Sequence, residues 1–218
     1  MESVVPTKGA SADAADPGTV RPGGRTARVR ASVLRAAGDA LVEHGFHSLD
    51  LADVARRAEV GKTTVYRRWG TTTGLIADLL ADMADIADMA EQSVPRTGSG
   101  SLTEDLRSNA RLVAATLTDP RQGLLFKAVI AAATCDERTA RALHRFYANR
   151  IKEWAPCVEG AVARGELPAG TDAREVIRAV SAPLYYRVLA GGDPLDEAAA
   201  DRAATAAESA ARAGAYIG

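Results

Sequence analysis

Residues 50–69 read DLADVARRAEVGKTTVYRRW, and the pattern in this stretch decides the fold. It predicts two short helices joined by a tight turn. Asp50 stands where the first helix begins, and its carboxylate can accept a hydrogen bond from the backbone amide of Ala52 or Asp53. The apolar residues that follow recur at the spacing of one buried helical face: Leu51, Val54, Ala55 and Ala58.

The turn is expected at Glu59-Val60-Gly61, where Val60 is the apolar plug between the helices and Gly61 has the freest backbone. The second helix follows this turn and buries Val65 and Trp69, its last residue. Its other side chains are expected to face outward: Lys62, Thr63, Thr64, Tyr66, Arg67 and Arg68. Hydroxyls, a phenol and cations on one exposed helix are groups that reach base edges and phosphates in a DNA major groove. The stretch therefore predicts a helix-turn-helix that binds DNA.

The flanking segments predict one further helix on each side. Upstream, a helix over Arg28 to His44 has one apolar face, made of Val29, Val33, Ala37, Ala40 and Leu41. Downstream, a helix that starts near Thr72 turns one apolar face inward, made of Leu75, Ile76, Leu79, Leu80, Met83 and Ile86. The run from ALVEHGF (residues 40–46) through LDLADVARRAEVGKTTVYRRW (residues 49–69) closely resembles the DNA-binding domain of TetR-type transcriptional regulators. The resemblance covers about residues 28–80.

Three positions depart from the family pattern. Glu59 stands where the family usually has the turn glycine, and Gly61 replaces the usual serine cap of the recognition helix. Thr72 sits where many members carry a lysine that touches phosphate, a contact that a backbone amide at the helix N-terminus can also make. We expect Lys62, Thr63 and Thr64 to face bases, because the N-terminal part of the helix enters the groove. The remaining candidate DNA-binding residues are Tyr66, Arg67, Arg68, Asp50, Arg28 and Thr72.

The charge distribution agrees with DNA binding at one end of the chain. The 218 residues carry a net charge of −1, but residues 21–70 hold ten Lys/Arg against five Asp/Glu, whereas residues 71–218 hold sixteen against twenty.

Only two cysteines, Cys135 and Cys157, are present, which favours a reducing cytoplasmic location over a disulfide framework. No signal peptide and no stretch of about twenty apolar residues is apparent, so we expect no membrane association.

Composition predicts three parts. Residues 1–24 are rich in Pro, Gly, Ala, Ser and Asp, which predicts a disordered tail. Its end is basic, with Arg21, Arg25, Arg28 and Arg30, so this segment is either a solubilising tail or an arm that reaches phosphate or the minor groove. Residues 25–72 form the predicted DNA-binding domain, and residues 73–218 form a helical effector-binding and dimerisation domain. The fourth helix carries an acidic face that we expect to be solvated: Asp78, Asp82, Asp85, Asp88 and Glu91.

Beyond a break at residues 96–100, every segment predicts helix and none predicts a strand. Helix starts are indicated at Ser101 with Glu104 as a capping box, and at Asp119-Pro120, Asp136, Asp172 with Glu175, and Asp193-Pro194. The chain is therefore expected to be all-α, with about nine helices. This half also resembles, less specifically, the ligand-binding and dimerisation half of TetR-type regulators. Its last two helices, about residues 172–189 and 194–215, are the predicted dimer interface. We expect alanines of the last helix to allow close approach there, and an apolar seam to come from Val176, Ile177, Val180 and Leu184.

The helix from Asp136 carries an apolar stripe that includes Tyr147 and Trp154, and such a stripe serves either as core or as a cavity wall. Arg150 lies four residues from both Phe146 and Trp154, so its guanidinium either pairs with an acid or stacks on these rings and holds an anionic ligand. The candidate effector-binding residues are Phe126, Tyr147, Arg150, Trp154, Tyr185 and Tyr186. Few polar groups are among them, which favours an aromatic or acyl effector over a sugar.

The catalytic and metal-binding motifs that the sequence suggests are incomplete. Gly61-Lys62-Thr63 resembles the end of a phosphate-binding loop, but the first glycine of that loop would fall at Arg56. The three histidines, His44, His47 and His144, lack metal-ligand spacing. We therefore predict no cofactor, no metal and no catalytic residue.

The predicted function is that of a homodimeric regulator, a repressor that a small hydrophobic effector releases from a palindromic DNA operator. The alternative is an all-helical carrier or enzyme with an incidental basic patch.

Overall fold

The structure is a computed structural model that describes residues 23–91 and 99–218. Within that part the chain is all-α, and its nine helices are α1 (Gly23–His44), α2 (Leu51–Arg57), α3 (Lys62–Trp69), α4 (Thr72–Glu91), α5 (Leu102–Thr118), α6 (Gln122–Ala133), α7 (Glu137–Ala163), α8 (Ala173–Tyr186) and α9 (Glu197–Arg212). A 3₁₀ turn (Phe46–Ser48) follows α1, and a π-helical turn (Arg187–Gly191) follows α8. The all-α prediction is confirmed.

Some of the sequence predictions lie outside the described residues. These are the tail over residues 1–22 with Arg21, the break at residues 96–98, and the side chains of Arg25, Asp85, Ile86, Asp88 and Glu91. The first helix begins at Gly23, five residues before the predicted start at Arg28. Glycine is a poor helix former, so the sequence pattern did not extend the helix through Gly23 and Gly24.

Side-chain caps begin most of the helices as predicted. In each case a carboxylate or hydroxyl oxygen of the capping residue accepts a hydrogen bond from the backbone amide three residues later. The pairs are Asp50 with Asp53 N at 3.1 Å, Ser101 with Glu104 N at 3.4 Å, Asp136 with Thr139 N at 2.8 Å and Asp172 with Glu175 N at 3.4 Å. Two helices are exceptions. The α6 helix starts at Gln122 and not at Asp119-Pro120, although Asp119 accepts from Arg121 N and Gln122 N in the preceding turn. The α9 helix starts at Glu197, capped by Asp196, and not at Asp193-Pro194.

Two apolar clusters form the interior. The first unites α1 to α4 with parts of α6 and α7, so the core of the helix-turn-helix continues into Val129 and Leu143. The second unites α5, α8 and α9 with the C-terminal half of α7 around Trp154. Met83 on α4 and Phe146 on α7 pack against both clusters. The two halves of the chain therefore meet along α4, α6 and α7.

Candidate DNA interface and effector cavity

Helix α3 has a polar outer surface, and two buried side chains on its inner side anchor it to the core. Val65 is fully buried and Trp69 nearly so, whereas the exposed side chains are Lys62, Thr63, Tyr66, Arg67 and Arg68. Thr64 is half-buried, so it is less accessible than the sequence pattern predicts. At 100° per residue, Thr63 and Arg67 point directly away from the buried pair. These two residues stand at the centre of the surface that a major groove would meet.

The other candidate DNA-binding residues lie outside α3 and differ in their exposure and contacts. Asp50 is exposed, but its carboxylate caps α2, so its contact in the described chain is to protein backbone. Arg28 is exposed on α1 and free to approach phosphate. Thr72 is half-buried at the first position of α4, and the neighbouring Thr71 hydroxyl caps that helix by accepting from Gly74 N at 3.0 Å.

The turn between α2 and α3 carries its conformational strain at Glu59 and not at Gly61. Glu59 has φ 55°, the left-handed region that favours glycine, and Gly61 has φ −57° and ψ 131°, which any residue adopts. The prediction that Gly61 supplies the free backbone is therefore wrong. Val60 packs against the first core as the predicted plug. The chain makes this turn without the glycine that the left-handed position favours.

We expect Glu59→Gly to stabilise the protein by about 0.5–1 kcal/mol. Relief of the left-handed strain outweighs the greater entropy of glycine in the unfolded chain. Glu59→Ala is the matched control, because it removes the same exposed side chain and keeps the strain. Thermal unfolding measures both variants, and an equal midpoint for Glu59→Gly and Glu59→Ala would contradict this account.

A charged cluster ties α3 to α1 and α4. Asp78 on α4 accepts hydrogen bonds from Arg30 Nη2 at 3.0 Å and from the Trp69 indole Nε1 at 3.0 Å. Arg30 also pairs with Asp82 at 2.5 Å, and Arg68 stacks over the Trp69 ring at 5.3 Å. The expectation that Asp78 and Asp82 are solvated is wrong, because both carboxylates are half-buried against Arg30.

The pKa of Asp78 reflects this environment. Burial alone raises the pKa of the carboxyl group, but hydrogen bonds from Arg30 and Trp69, together with the charge of Arg30, bring it below its ordinary value. Hydrogen bonds to Asp78 and Asp82, together with the charges of these carboxylates, raise the pKa of the Arg30 guanidinium. Asp78 is therefore ionised and fixes the C-terminal end of α3 at neutral pH.

A cavity of about 1420 Å³ lies where the two cores meet. Its wall comes from α1, α4, α5, α6, α7 and α8, and it is mainly apolar. Five of the six residues predicted for an effector site line it: Phe126, Tyr147, Arg150, Trp154 and Tyr185. Tyr186 is not among the lining residues, since its side chain is 67% exposed on the outer surface of α8. The part of the wall from α1 and α4, which includes Leu34, Asp82 and Met83, was not foreseen.

Aromatic rings form a continuous row along the cavity. Phe126 and Phe146 have ring centroids 5.4 Å apart, Phe146 and Tyr147 are 5.5 Å apart, and Tyr147 meets Tyr185 edge-on at 5.5 Å. Burial raises the pKa of both tyrosine hydroxyls, so they stay neutral. Arg150 pairs with Glu153 at 2.7 Å and also stacks over the Phe146 ring at 5.7 Å.

Neither a metal centre nor a membrane span is apparent in the described ranges. Among residues 23–91 and 99–218, no group of three or more His, Cys, Asp or Glu side chains is placed to hold a metal ion. In the same ranges no helix combines the length and apolarity that crossing a bilayer requires.

Comparison with known proteins identifies the class. Residues 33–79 match the family model of bacterial regulatory proteins of the tetR family, and residues 94–207 match the tetracyclin repressor-like C-terminal domain. The HTH-type transcriptional regulator YdeS of Bacillus subtilis is 30% identical over 76% of this chain and 81% of its own length. The HTH-type transcriptional regulator AqdR of Rhodococcus erythropolis is 31% identical over 70% of each chain. A solved TetR-family regulator from Mesorhizobium loti is 22% identical, with a TM-score of 0.68 over 87% of this chain and 98% of its own.

An exposed recognition helix on a helix-turn-helix, joined to a helical body, defines a DNA-binding transcriptional regulator. The chain belongs to the TetR family of transcriptional regulators. The matched domains and these relatives are regulators and not enzymes, which removes the alternative of a helical enzyme with a basic patch.

Proposed function

We propose that the chain is a homodimeric repressor that leaves a palindromic operator when a small hydrophobic effector enters the cavity. The observation that carries this proposal is the position of Asp82. Asp82 lines the cavity and also pairs with Arg30, whose second partner, Asp78, holds Trp69 at the end of α3. The cavity wall and the support of the recognition helix thus share one charged cluster.

This arrangement gives the two sites a physical means of coupling. An effector that fills the space beside Leu79, Asp82 and Met83 favours a different position of α4 in the cavity wall. Any such shift acts on Arg30 and Asp78, and through them on the orientation of α3. Because coupling between binding sites is reciprocal, an operator-bound protein binds the effector less tightly.

The residues that line the cavity indicate the chemical class of the effector. The wall is mainly apolar and contains the aromatic row from Phe126 to Tyr185. Three of the four arginines in it have carboxylate partners, Glu153 for Arg150, Asp39 for Arg121 and Glu175 for Arg178, and the fourth, Arg35, is exposed. A hydrophobic aromatic or acyl molecule therefore fits this wall better than a sugar, which would need many hydrogen-bonding groups.

The test measures DNA binding and effector response separately. An operator is selected from random double-stranded DNA, and its release is measured with aromatic hydrocarbons, phenols, fatty acids and, as negative controls, sugars. We expect Val113→Phe, which fills part of the cavity, to keep operator affinity and to lose most of the release. Val113→Ile adds a single methylene at the same place and is the matched control. If no apolar compound releases the wild-type protein, effector-controlled repression is contradicted.

The dimer is proposed to form through the outer faces of α8 and α9. The seam first expected from α8, made of Val176, Ile177, Val180 and Leu184, is buried inside the chain and cannot meet a second copy. The exposed faces are instead Ala182, Pro183 and Tyr186 on α8, and Ala198, Arg202, Thr205, Ala206 and Ser209 on α9. Small side chains there let two helices from each copy pack closely as a four-helix bundle. Light scattering should give twice the chain mass of 22.8 kDa, and a monomer at micromolar concentration would contradict the bundle.

Two such recognition helices related by a two-fold axis would read half-sites about one helical turn apart, or a multiple of it. Binding to chromosomal DNA would place the protein in the bacterial cytoplasm.

A further inference from the structure

Asn109 is a polar residue in the wall of the cavity whose hydrogen bonds are incomplete. Its side chain is 4% exposed, it lines the cavity, and its Oδ1 is buried without a hydrogen-bond partner among the described residues. A buried amide oxygen that lacks a partner destabilises the folded state, so its presence requires an explanation. In the wall of a binding cavity, the simplest explanation is a ligand that completes its hydrogen bonds.

The neighbouring hydroxyl groups already donate to backbone oxygens. Asn109 shares one face of α5 with Leu112, Val113 and Thr116, at the spacing i, i+3, i+4 and i+7. The Thr116 hydroxyl donates to Leu112 O at 2.9 Å, and on α8 the Ser181 hydroxyl donates to Arg178 O at 3.2 Å. Compared with these hydroxyl groups, the amide of Asn109 therefore has more unused hydrogen-bonding capacity for a ligand.

The charges of the wall argue against an ionised ligand. Of the four arginines in the wall, Arg121 pairs with Asp39 at 2.5 Å, Arg150 with Glu153 and Arg178 with Glu175, whereas Arg35 is exposed. The cation beside the aromatic row is Arg150, so an anionic ligand there would have to displace Glu153 and desolvate its own charge. An uncharged polar group avoids both costs.

We propose that the effector is an uncharged aromatic molecule with a hydroxyl group, and that this hydroxyl binds the Asn109 amide. A hydroxyl both donates and accepts, so it can accept from the amide NH₂ and, once the amide turns its buried oxygen toward the cavity, donate to that oxygen. The ring of the ligand packs against the row of Phe126, Phe146 and Tyr147. This inference rests on the proposed function, which makes the cavity the effector site.

The test compares 2-naphthol with 2-methylnaphthalene, which have similar shapes and differ in the hydroxyl. Their affinities are measured by titration calorimetry on the wild-type protein, Asn109→Leu and Thr116→Val, without DNA. We expect the ratio of the two affinities to shift about three- to tenfold against 2-naphthol in Asn109→Leu, the effect of one hydrogen bond. Thr116→Val removes a hydroxyl from the same face of α5, and we expect the ratio to stay unchanged.

Thermal unfolding of the unliganded protein gives a second readout. Because Leu needs no hydrogen bond, Asn109→Leu should raise the unfolding midpoint. A lower midpoint would show that the amide has a structural partner and would overturn the inference. An unchanged affinity ratio in Asn109→Leu would also overturn it while the effector-controlled function stands. Failure of both probes to bind the wild-type protein, together with no operator release by any compound, would instead count against the proposed function.

Discussion

We expect removal of the Arg67 and Arg68 charges from α3 to lower operator affinity about a thousandfold at 0.15 M salt. Both side chains are exposed on the recognition helix, and a dimer that carries Arg67→Gln and Arg68→Gln loses four cations from the DNA-facing surface. Each phosphate contact releases counterions and contributes about 0.9 to the slope of log affinity against log salt concentration. The slope should therefore fall by about three to four. Titrations of the selected operator at several salt concentrations measure both quantities.

The matched control removes the same number of charges from exposed positions on α5 and α7. Arg107→Gln with Lys152→Gln should leave affinity and salt slope nearly unchanged. The single variant Arg67→Gln separates charge from structure, because Arg68 also stacks on the Trp69 ring and its loss costs some stability. If the double variant on α3 keeps the wild-type salt slope, another surface of the protein binds the phosphates.

The accuracy of the sequence prediction depends on how local each signal is. Helix α3 runs from Lys62 to Trp69, as expected, because its apolar pair and its turn lie within a few residues of one another. The caps at Asp50, Asp136 and Asp172 were predictable for the same reason. The strained turn residue was missed although Glu59 stands where the family usually has the turn glycine, because Gly61, two residues later, is the usual residue type for a left-handed position.

The parts of the site that join distant segments could not be predicted. Arg30 and Asp78 are 48 residues apart, and each taken alone is an ordinary charge on a helix surface. The aromatic side of the cavity was predicted because Tyr147 and Trp154 share a stripe on α7, whereas its contributions from α1 and α4 depend on how the helices pack. Asn109 gave no sequence signal, because an isolated asparagine on an amphipathic helix is usually solvated.

Asp78→Asn should lower the unfolding midpoint by about 4–8 °C. The substitution keeps an oxygen that can accept from Trp69 but removes the negative charge that Arg30 contacts. Loss of one partner from a buried ion pair costs about 3–5 kcal/mol, and partial exposure of this pair reduces the expected cost to about 2 kcal/mol. Asp201→Asn, which breaks the exposed pair with Arg111, is the control and should change the midpoint little. An unchanged midpoint for Asp78→Asn would contradict the structural role of the cluster.

The pH dependence follows from the lowered pKa of Asp78. The folded state favours the ionised carboxylate, so the stability that it contributes is fully present above the unfolded pKa of about 3.9 and is lost as the pH falls through the lower folded value. The stability difference between the wild-type protein and Asp78→Asn should therefore be constant near neutral pH and shrink below about pH 4.

The same variant should weaken operator binding in a way that differs from the loss of Arg67 and Arg68. Asp78 faces Arg30 and Trp69 inside the protein, so its charge is not one that contacts phosphate. Its removal loosens the C-terminal end of α3 and lowers affinity, but the number of phosphate contacts and hence the salt slope should stay at the wild-type value. A reduced affinity with an unchanged slope would show that α3 is positioned through α1 and α4, the helices that also form the wall of the cavity. A reduced slope would show that the loss of Asp78 also removes phosphate contacts made by neighbouring cations, and would contradict a purely positional role for this carboxylate.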